Sequence, residues 1–205
     1  MSYKGKSMFN AEENINILIS SIKDKVEKWE KFADGSIVIK PKKANFDELC
    51  ISFRKIFMDT EYTFIISKIV VKIPKTKYLI LSGKIGKFSL ELKWKREFFI
   101  RKPIFVKSSD FSRPENINTI LNLLNSEKIL LEKIKKCNPE NLMANLIPLS
   151  PSNGSRSIHL SWIISMNKLF YRNLNYSREI RAIFDMLDHL SKILSENCVQ
   201  LIKGL

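Results

Sequence analysis

The sequence predicts an α+β fold in which a mainly antiparallel sheet of about five to seven strands packs against three amphipathic helices. A helical period comes first, strand-like alternation follows, and two further helical segments flank a hairpin pattern. This order differs from the alternating β-α-β pattern of parallel nucleotide-binding folds. A chain of 205 residues with 44% hydrophobic and 27% charged residues is long and apolar enough to form its own core.

The first helix is predicted over Asn10 to Phe32, because apolar residues recur there at the three- and four-residue spacing of a one-sided helix. Asn10 is followed three residues later by Glu13, which is a variant of the capping box. Asp34-Gly35 supplies a signal for the end of the helix. We therefore expect one buried stripe along this segment.

From Ile37 to Lys107 the period changes to two, which predicts a β-meander of about five strands. The clearest strand runs from Lys87 to Lys95, with Phe88 and Trp94 on an apolar face and the lysines on the opposite face. The segment from Tyr62 to Ile73 is apolar on both faces. We expect it at the centre of the sheet or under a covering layer.

Two further helices are predicted in the second half of the chain. One extends from Ser112 to Lys136, begins at a capping signal and stops before Asn138-Pro139, because proline cannot continue a helix. The other extends from Ser177 to Ile202 and has a continuous apolar side. We expect the final helix to pack on the sheet.

A hairpin is predicted between Met143 and Met166, with Asn153-Gly154 as its turn. Pro148 and Pro151 lie in its first arm. Because proline lacks a backbone donor, these residues should confine that arm to an edge of the sheet or to an irregular course.

The chain is expected to form a single α+β domain over residues 1–205, because no linker of Gly, Ser or Pro separates its halves. The alternative is a division near Ser108. It would separate a helix and meander in residues 1–107 from a helix, hairpin and helix in residues 108–205.

Positive charge is concentrated in Ile37 to Lys107, where 17 Lys and Arg against 6 Asp and Glu give +11 of the formal +14 of the chain. This pattern is consistent with sequence-independent binding of nucleic acid or another polyanion, which depends on salt because phosphates are neutralised. The candidate residues are Lys87, Lys93, Lys95, Arg96, Arg101, Lys102, Lys40, Lys42 and Lys43.

Two other interpretations of the basic segment compete with polyanion binding. Lysine on exposed strands protects a sheet from edge-to-edge aggregation and keeps a protein soluble. Contact with an anionic membrane surface or an acidic protein is the third interpretation. Phe88 and Trp94 lie on the face opposite the lysines, whereas a single-strand-binding sheet places its aromatic residues among its basic ones.

No catalytic residue, cofactor or metal site is predicted. Cys50, Cys137 and Cys198 are far apart and suit buried reduced thiols, and His159 and His189 lack the spacing of metal ligands. The glycines near Lys87 do not form a phosphate loop, because a strand pattern follows them where that loop requires a helix.

A non-catalytic binding or interaction protein of unspecified partner is the favoured function, with self-association as an open alternative. Polyanion binding is the second hypothesis. The third is a small-molecule or lipid carrier, or an unrecognised enzyme, with a pocket between sheet and helices. The sequence shows no apolar run typical of a signal peptide or a membrane span, so we expect a cytoplasmic location.

Overall fold

The computed structural model of the chain describes residues 11–58, 61–66, 70–72, 76–79, 88–108, 117–149, 157–170 and 176–197. Within these residues the helices are α1 (Ala11–Ser21), α2 (Ile117–Ser126), α3 (Lys128–Cys137) and α4 (Tyr176–Asn197), and a short 3-10 helix spans Lys23–Lys25. The strands are β1 (Val26–Lys31), β2 (Ile37–Pro41), β3 (Leu49–Ile51), β4 (Phe53–Met58), β5 (Glu61–Ile66), β6 (Val70–Lys72), β7 (Thr76–Leu79), β8 (Phe88–Glu97), β9 (Ile100–Lys107), β10 (Asn141–Leu149) and β11 (Ser157–Phe170).

The fold class is α+β with antiparallel strand pairing, as the sequence predicts. The element counts differ from the prediction, because the described residues contain eleven strands and four α-helices. One extra strand comes from the second half of the first predicted helix. Others come from the division of the predicted meander into shorter strands, and the extra helix comes from the division of the second predicted helix.

The strands form one sheet in which β11 is central. The order is β1-β2-β3-β6-β11-β10-β8-β9; in addition, β5 and β7 pair with β11, and β4 pairs with β5. Along one side of β11 runs β10, and along the other side β7, β6 and β5 follow one another. The longest strand therefore organises strands from both halves of the chain.

Two short strands, β5 and β6, replace the single strand predicted over Tyr62 to Ile73. The pairing of β11 with β5, β6 and β7 contains two register shifts. From one of these strands to the next, a step of four residues along β11 matches a step of five residues along the opposite segment. The predicted central position is observed, because β6 lies between β3 and β11. The pairs that define this register are Lys168 with Ile66, Ile164 with Val71, and Leu160 with Thr76.

The β10–β11 hairpin is inserted between strands of the first half of the chain, which corrects the predicted simple meander. Strands from the two sides of Ser108 therefore pair with one another. The arm that contains Pro148 is not an edge strand along its whole length, because β10 lies between β11 and β8, but Pro148 itself lies beyond the residues that pair with β8. Only Met143–Leu146 pair with β8, so no residue of β8 requires a donor from Pro148. The predicted turn at Asn153-Gly154 lies outside the described residues.

The helix predicted over Asn10 to Phe32 ends with α1, and its second half forms β1. The β1–β2 pairing contains a register shift directly after Val26. A bulge adds one residue to a strand, so Val26 and Trp29 oppose residues two apart on β2 and lie on one face, although they are three residues apart. The last step of the helical spacing, from Val26 to Trp29, therefore comes from a register shift in a strand.

Asp34 and Gly35 belong to the β1–β2 turn and not to a helix end. The carboxylate of Asp34 accepts hydrogen bonds from the backbone N–H and the hydroxyl of Ser36 at 2.9 and 2.6 Å. Gly35 has φ of 80°, and the backbone N–H of Phe32 donates to the carbonyl of Ser36 at 2.8 Å. These residues have the side chains and the backbone freedom that the turn requires.

The long helix predicted over Ser112 to Lys136 consists of two helices, α2 and α3, separated at Glu127. Buried Leu124 and Leu130 are six residues apart, a spacing that places side chains on different sides of one continuous helix. The end of α3 is as predicted, with Asn138 at φ of 43° directly after it. The predicted helix start at Ser112 lies outside the described residues.

The helices cover one face of the sheet, and the core lies between the two layers. Alternate residues of β10 and β11 are buried there, and the apolar side of α4 faces them as predicted, although the predicted end at Ile202 lies outside the described residues. Among the described residues, no helix is both long and apolar enough to cross a bilayer. The buried residues of these three elements include Leu142, Ala144, Leu146, Trp162, Ile164, Met166, Ile180, Ile183, Phe184, Leu187, Leu190 and Leu194.

Hairpins form both edges of the main strand order. Every residue of β1 after Val26 is exposed, and most of these residues are charged. On the opposite edge, the side chain of Asn125 from α2 binds the backbone of β9. Its Oδ1 accepts from the N–H of Phe105 at 2.7 Å, and its Nδ2 donates to the carbonyl of Phe105 at 2.9 Å. Exposed charge and a covering side chain both hinder edge-to-edge pairing.

Candidate binding surface at the β8–β9 hairpin

The nine basic residues predicted to bind a polyanion do not lie on one surface. Lys87 is outside the described residues. Four strands, namely β3, β6, β11 and β10, separate β2 from β8. At about 4.8 Å per strand this corresponds to roughly 24 Å, too far for one compact patch. Lys93, Lys95 and Arg96 belong to β8, Arg101 and Lys102 to β9, and Lys40, Lys42 and Lys43 to β2 and the residues after it.

The five basic residues of the β8–β9 hairpin are divided between its two faces. Alternation places Lys93 and Lys95 on the outer face, away from the helices, and Arg96 on the face toward the helices. The register pairs Lys95 with Lys102 and Arg96 with Arg101. The outer face therefore carries three lysines, and the helix-side face carries two arginines.

The predicted alternation of β8 is observed where its side chains are described. Leu90 and Leu92 are buried, and the neighbouring Lys93 and Lys95 are exposed. Trp94 is half-buried, so its predicted burial is partial. The side chain of Phe88 lies outside the described part of the strand, as does Lys87.

Glutamates accompany the lysines of the outer face. Lys93 forms an ion pair with Glu91 at 2.7 Å, and Glu97 pairs with Lys102 and, at 3.5 Å, with Lys95. The hydrogen bond from Lys102, followed by its charge and the hydrogen bond from Lys95, lowers the pKa of Glu97 below its usual value. Each lysine side chain is more than half exposed, so these pairs are weak and another anion can compete for them.

The helix-side face is anchored at Trp94. The indole Nε1 of Trp94 donates to the carbonyl of Pro139 at 3.2 Å, and the guanidinium of Arg101 lies 5.1 Å from the ring centroid of Trp94. Among the described residues, no carboxylate forms an ion pair with Arg96 or Arg101. The base of the hairpin is therefore fixed, while two exposed arginines remain available to an external anion.

Phe98 and Phe99 form the turn of the hairpin. Glu97 pairs with Ile100, which leaves a loop of these two phenylalanines. Phe98 is 95% exposed and Phe99 is 94% exposed. Phe98 has φ of 54°, a region that bulky side chains rarely adopt, and two-residue hairpin turns favour Gly, Asn and Asp for that reason. Two apolar rings thus occupy positions where backbone stability favours small or polar residues.

Sequence reasoning missed Phe98 and Phe99, although a signal for them was present. They lie between Arg96 and Arg101, at a point where a meander requires a turn, and none of the usual turn residues is found there. Departures from local sequence preferences that bring no structural gain are expected at functional sites.

Burial shifts the pKa of one thiol and one imidazole, those of Cys137 and His189. Cys137 is 3% exposed, and burial raises the pKa of its thiol to about 12, so it remains protonated and is a poor nucleophile. Burial, followed by the charge of Lys133, lowers the pKa of His189. Among the described residues, no group of three or more His, Cys, Asp and Glu is placed to hold a metal ion. Cys198 and the side chain of His159 lie outside this description.

A groove of about 690 Å³ lies along α3 and is open to solvent. It is not the predicted pocket between sheet and helices, whose proposed lining over Tyr62 to Ile73 has no described side chains. Its position on a helix surface favours a solvated face over an enclosed ligand site. The groove is lined by Lys128, Ile129, Glu132, Lys133, Lys135 and Lys136.

In comparison with known proteins, the chain matches no protein-family model, no curated protein and no solved structure. Its functional assignment therefore rests on the geometry of the hairpin.

Proposed function

We propose that the protein is a non-catalytic binding protein whose contact surface is the β8–β9 hairpin and whose partner is anionic. One observation supports this above all others. Two almost fully exposed phenylalanines, Phe98 and Phe99, project from a hairpin that is basic on both faces. Exposed rings at the end of an edge hairpin add nothing to the core, whereas aromatic residues beside arginine are typical of binding surfaces.

The charge of the hairpin defines the chemistry of the partner. Residues 93–102 contain five Lys and Arg and one acidic residue, Glu97. Such a local excess attracts anionic partners from a distance and makes their association dependent on salt. Arg96 and Arg101 are the strongest candidates for direct contact, because an anion that binds the lysines of the outer face must first displace their weak pairs with glutamates.

This proposal narrows the polyanion hypothesis from the whole segment Ile37 to Lys107 to its last hairpin. Lys40, Lys42 and Lys43 lie near the opposite edge of the sheet, where exposed lysine supports solubility and edge protection. The cytoplasmic location and self-association stay predictions.

Retention on immobilised heparin tests the proposal, because heparin is a polyanion that requires no sequence readout. The variant Arg96→Gln with Arg101→Gln removes two charges from the hairpin, and Lys40→Gln with Lys43→Gln removes two from the opposite edge. We expect the hairpin variant to elute at clearly lower salt than the wild type, and the control variant to elute close to the wild type. Equal shifts in the two variants would show that retention reflects net charge and would refute the assignment.

A further inference from the structure

We infer that the anionic partner is a lipid membrane, into which Phe98 and Phe99 insert while the surrounding basic side chains bind lipid headgroups. This inference rests on the proposed function of the hairpin. It specifies what the hairpin binds and how deeply the turn enters it.

The distribution of charge around the turn favours a plane over a strand. Lys95 and Lys102 lie on one face of the hairpin, and Arg96 and Arg101 lie on the other, so the phenylalanine turn has basic side chains on both sides. A nucleic-acid backbone that follows one face reaches only one of these pairs. A membrane that meets the hairpin end-on brings headgroups to both pairs at once.

The reach of the hairpin matches the depth of an interfacial site. Beyond Trp94, which is fixed to the carbonyl of Pro139, each strand continues for three residues before the turn. Three residues of extended chain measure about 10 Å. This length is comparable to the roughly 5–10 Å to which interfacial segments bury their apolar side chains. The arginines, two residues behind the rings, and the lysines, three residues behind them, then lie at headgroup level.

The form of the turn suits insertion. A polar backbone group without a partner is costly in the apolar layer, and pairing of Glu97 with Ile100 leaves a loop of only two residues to enter it. Ile100, which is 61% exposed, extends the apolar tip. Phe98 keeps a positive φ that glycine or asparagine would adopt more easily, so local turn stability does not account for the two rings.

The central test compares binding to vesicles with and without negative charge. Vesicles of phosphatidylcholine and phosphatidylserine in about a 3:1 ratio provide the anionic surface, and pure phosphatidylcholine provides the neutral one. We expect the wild type to co-sediment with the anionic vesicles and only weakly with the neutral ones. The variant Arg96→Gln with Arg101→Gln should bind the anionic vesicles about 30-fold more weakly, at a fewfold per charge.

The aromatic contribution is tested by Phe98→Asn with Phe99→Gly. Asn-Gly is the strongest signal for a two-residue hairpin turn, so this variant preserves the hairpin and its charges while it removes both rings. We expect binding to anionic vesicles to fall about 100-fold, at roughly tenfold per ring. The matched control is Phe32→Ala, which removes a ring that is 47% exposed beside the β1–β2 turn and should leave binding unchanged. Thermal unfolding by circular dichroism verifies that each variant is folded.

Insertion is distinguished from surface attachment by Phe99→Trp and lipids brominated in their acyl chains. We expect bromolipids to quench the emission of the added tryptophan, measured as the difference from the wild type. Vesicle binding without this quenching would overturn insertion.

The other outcomes identify different partners. Heparin retention that depends on Arg96 and Arg101, together with no vesicle binding, would refute the membrane and leave the hairpin as the anion-binding surface. If the Asn-Gly variant instead loses binding to single-stranded poly(U), or loses a concentration-dependent dimer seen by light scattering, the partner is RNA or a second copy of the chain, and the membrane inference is wrong.

Discussion

The β1–β2 and β8–β9 hairpins lie at opposite edges of one sheet, and each is closed by a short turn. In the first turn, Gly35 adopts the positive φ and Asp34 binds the backbone of Ser36. In the second turn, Phe98 adopts the positive φ and Phe99 follows it in place of a polar turn residue. The fold alone explains the residues of the first turn. It does not explain those of the second, and this difference is the reason to assign binding to β8–β9.

The two hairpins also differ in how the rest of the molecule holds them. The edge strand β1 presents exposed charged residues to solvent. By contrast, the side chain of Asn125 in α2 forms hydrogen bonds with the backbone of β9, and the indole of Trp94 in β8 donates a hydrogen bond to the carbonyl of Pro139, just after α3. A fixed base suits a binding hairpin, because the backbone that carries the rings and the arginines then needs less ordering on contact.

The largest expected effect concerns this attachment of β9. Asn125→Ala leaves the N–H and the carbonyl of Phe105 without their partners, and Phe105 is only 2% exposed. We expect the free energy of unfolding to fall by about 2–3 kcal/mol, measured by urea titration. The control is Asn122→Ala on the exposed side of the same helix, which should change it by less than about 0.5 kcal/mol. A loss below about 0.5 kcal/mol for Asn125→Ala would show that water replaces the side chain at this edge.

Substitutions at the positive-φ position of each turn should have opposite signs. An added Cβ at Gly35 meets no atom within 4 Å, so Gly35→Ala acts only through the strained φ of 80° and should lower the free energy of unfolding by about 1 kcal/mol. Phe98→Gly relieves the same kind of strain and removes no packing, because the ring is 95% exposed. We expect the free energy of unfolding to rise by about 0.5 kcal/mol, because the greater entropy of glycine in the unfolded chain offsets part of the relieved strain. Differential scanning calorimetry measures both changes, and a loss of stability in Phe98→Gly would mean that the ring serves the fold.

Those elements whose signals are local could be predicted from the sequence. The apolar side of α4, the alternation of β8 and the end of α3 at Asn138 each follow from residues within a few positions of one another. The strand Val26–Lys31 could not be predicted, because a bulge reproduced helical spacing. The break at Glu127 has no glycine or proline to announce it. The insertion of β10 and β11 beside β8 depends on pairing between distant segments, which local periodicity does not record.

The candidate site was predicted as nine basic residues, five of which belong to β8 and β9, and alternation placed Lys93 and Lys95 on one face. Which lysines share a face depends on the register between β8 and β9 and on the strand order, and both become visible only in the folded sheet. The same register converts Phe98 and Phe99 from two residues of a strand pattern into an exposed turn. If strand lengths in the meander had been used to predict a turn between Arg96 and Arg101, Phe98 and Phe99 would have been identified as its residues.

The smallest expected effect concerns the glutamate that distinguishes the outer face of β8–β9 from the helix-side face. Glu97→Gln frees Lys95 and Lys102 from their shared partner, so we expect slightly stronger retention on heparin than in the wild type. Glu132→Gln removes the partner of Lys135 on α3, away from the hairpin tip, and is the matched control, with retention close to the wild type. A rise as large in the control would attribute the effect to net charge.

The dependence of this effect on pH follows from the lowered pKa of Glu97. A carboxylate whose pKa is lowered in the folded state stabilises the fold at pH values above its usual pKa of 4.5. This contribution is lost as the pH falls through the lower pKa of the folded state. Because wild type and variant are compared on the same heparin at each pH, the difference between them reports on the protein. The difference between wild type and Glu97→Gln should therefore be constant from pH 8 to about 5 and should disappear only below the usual glutamate range. A difference that disappears near neutral pH would show that Glu97 is not held ionised by Lys102 and Lys95, and that the two faces of the hairpin do not differ in the way their charges are paired.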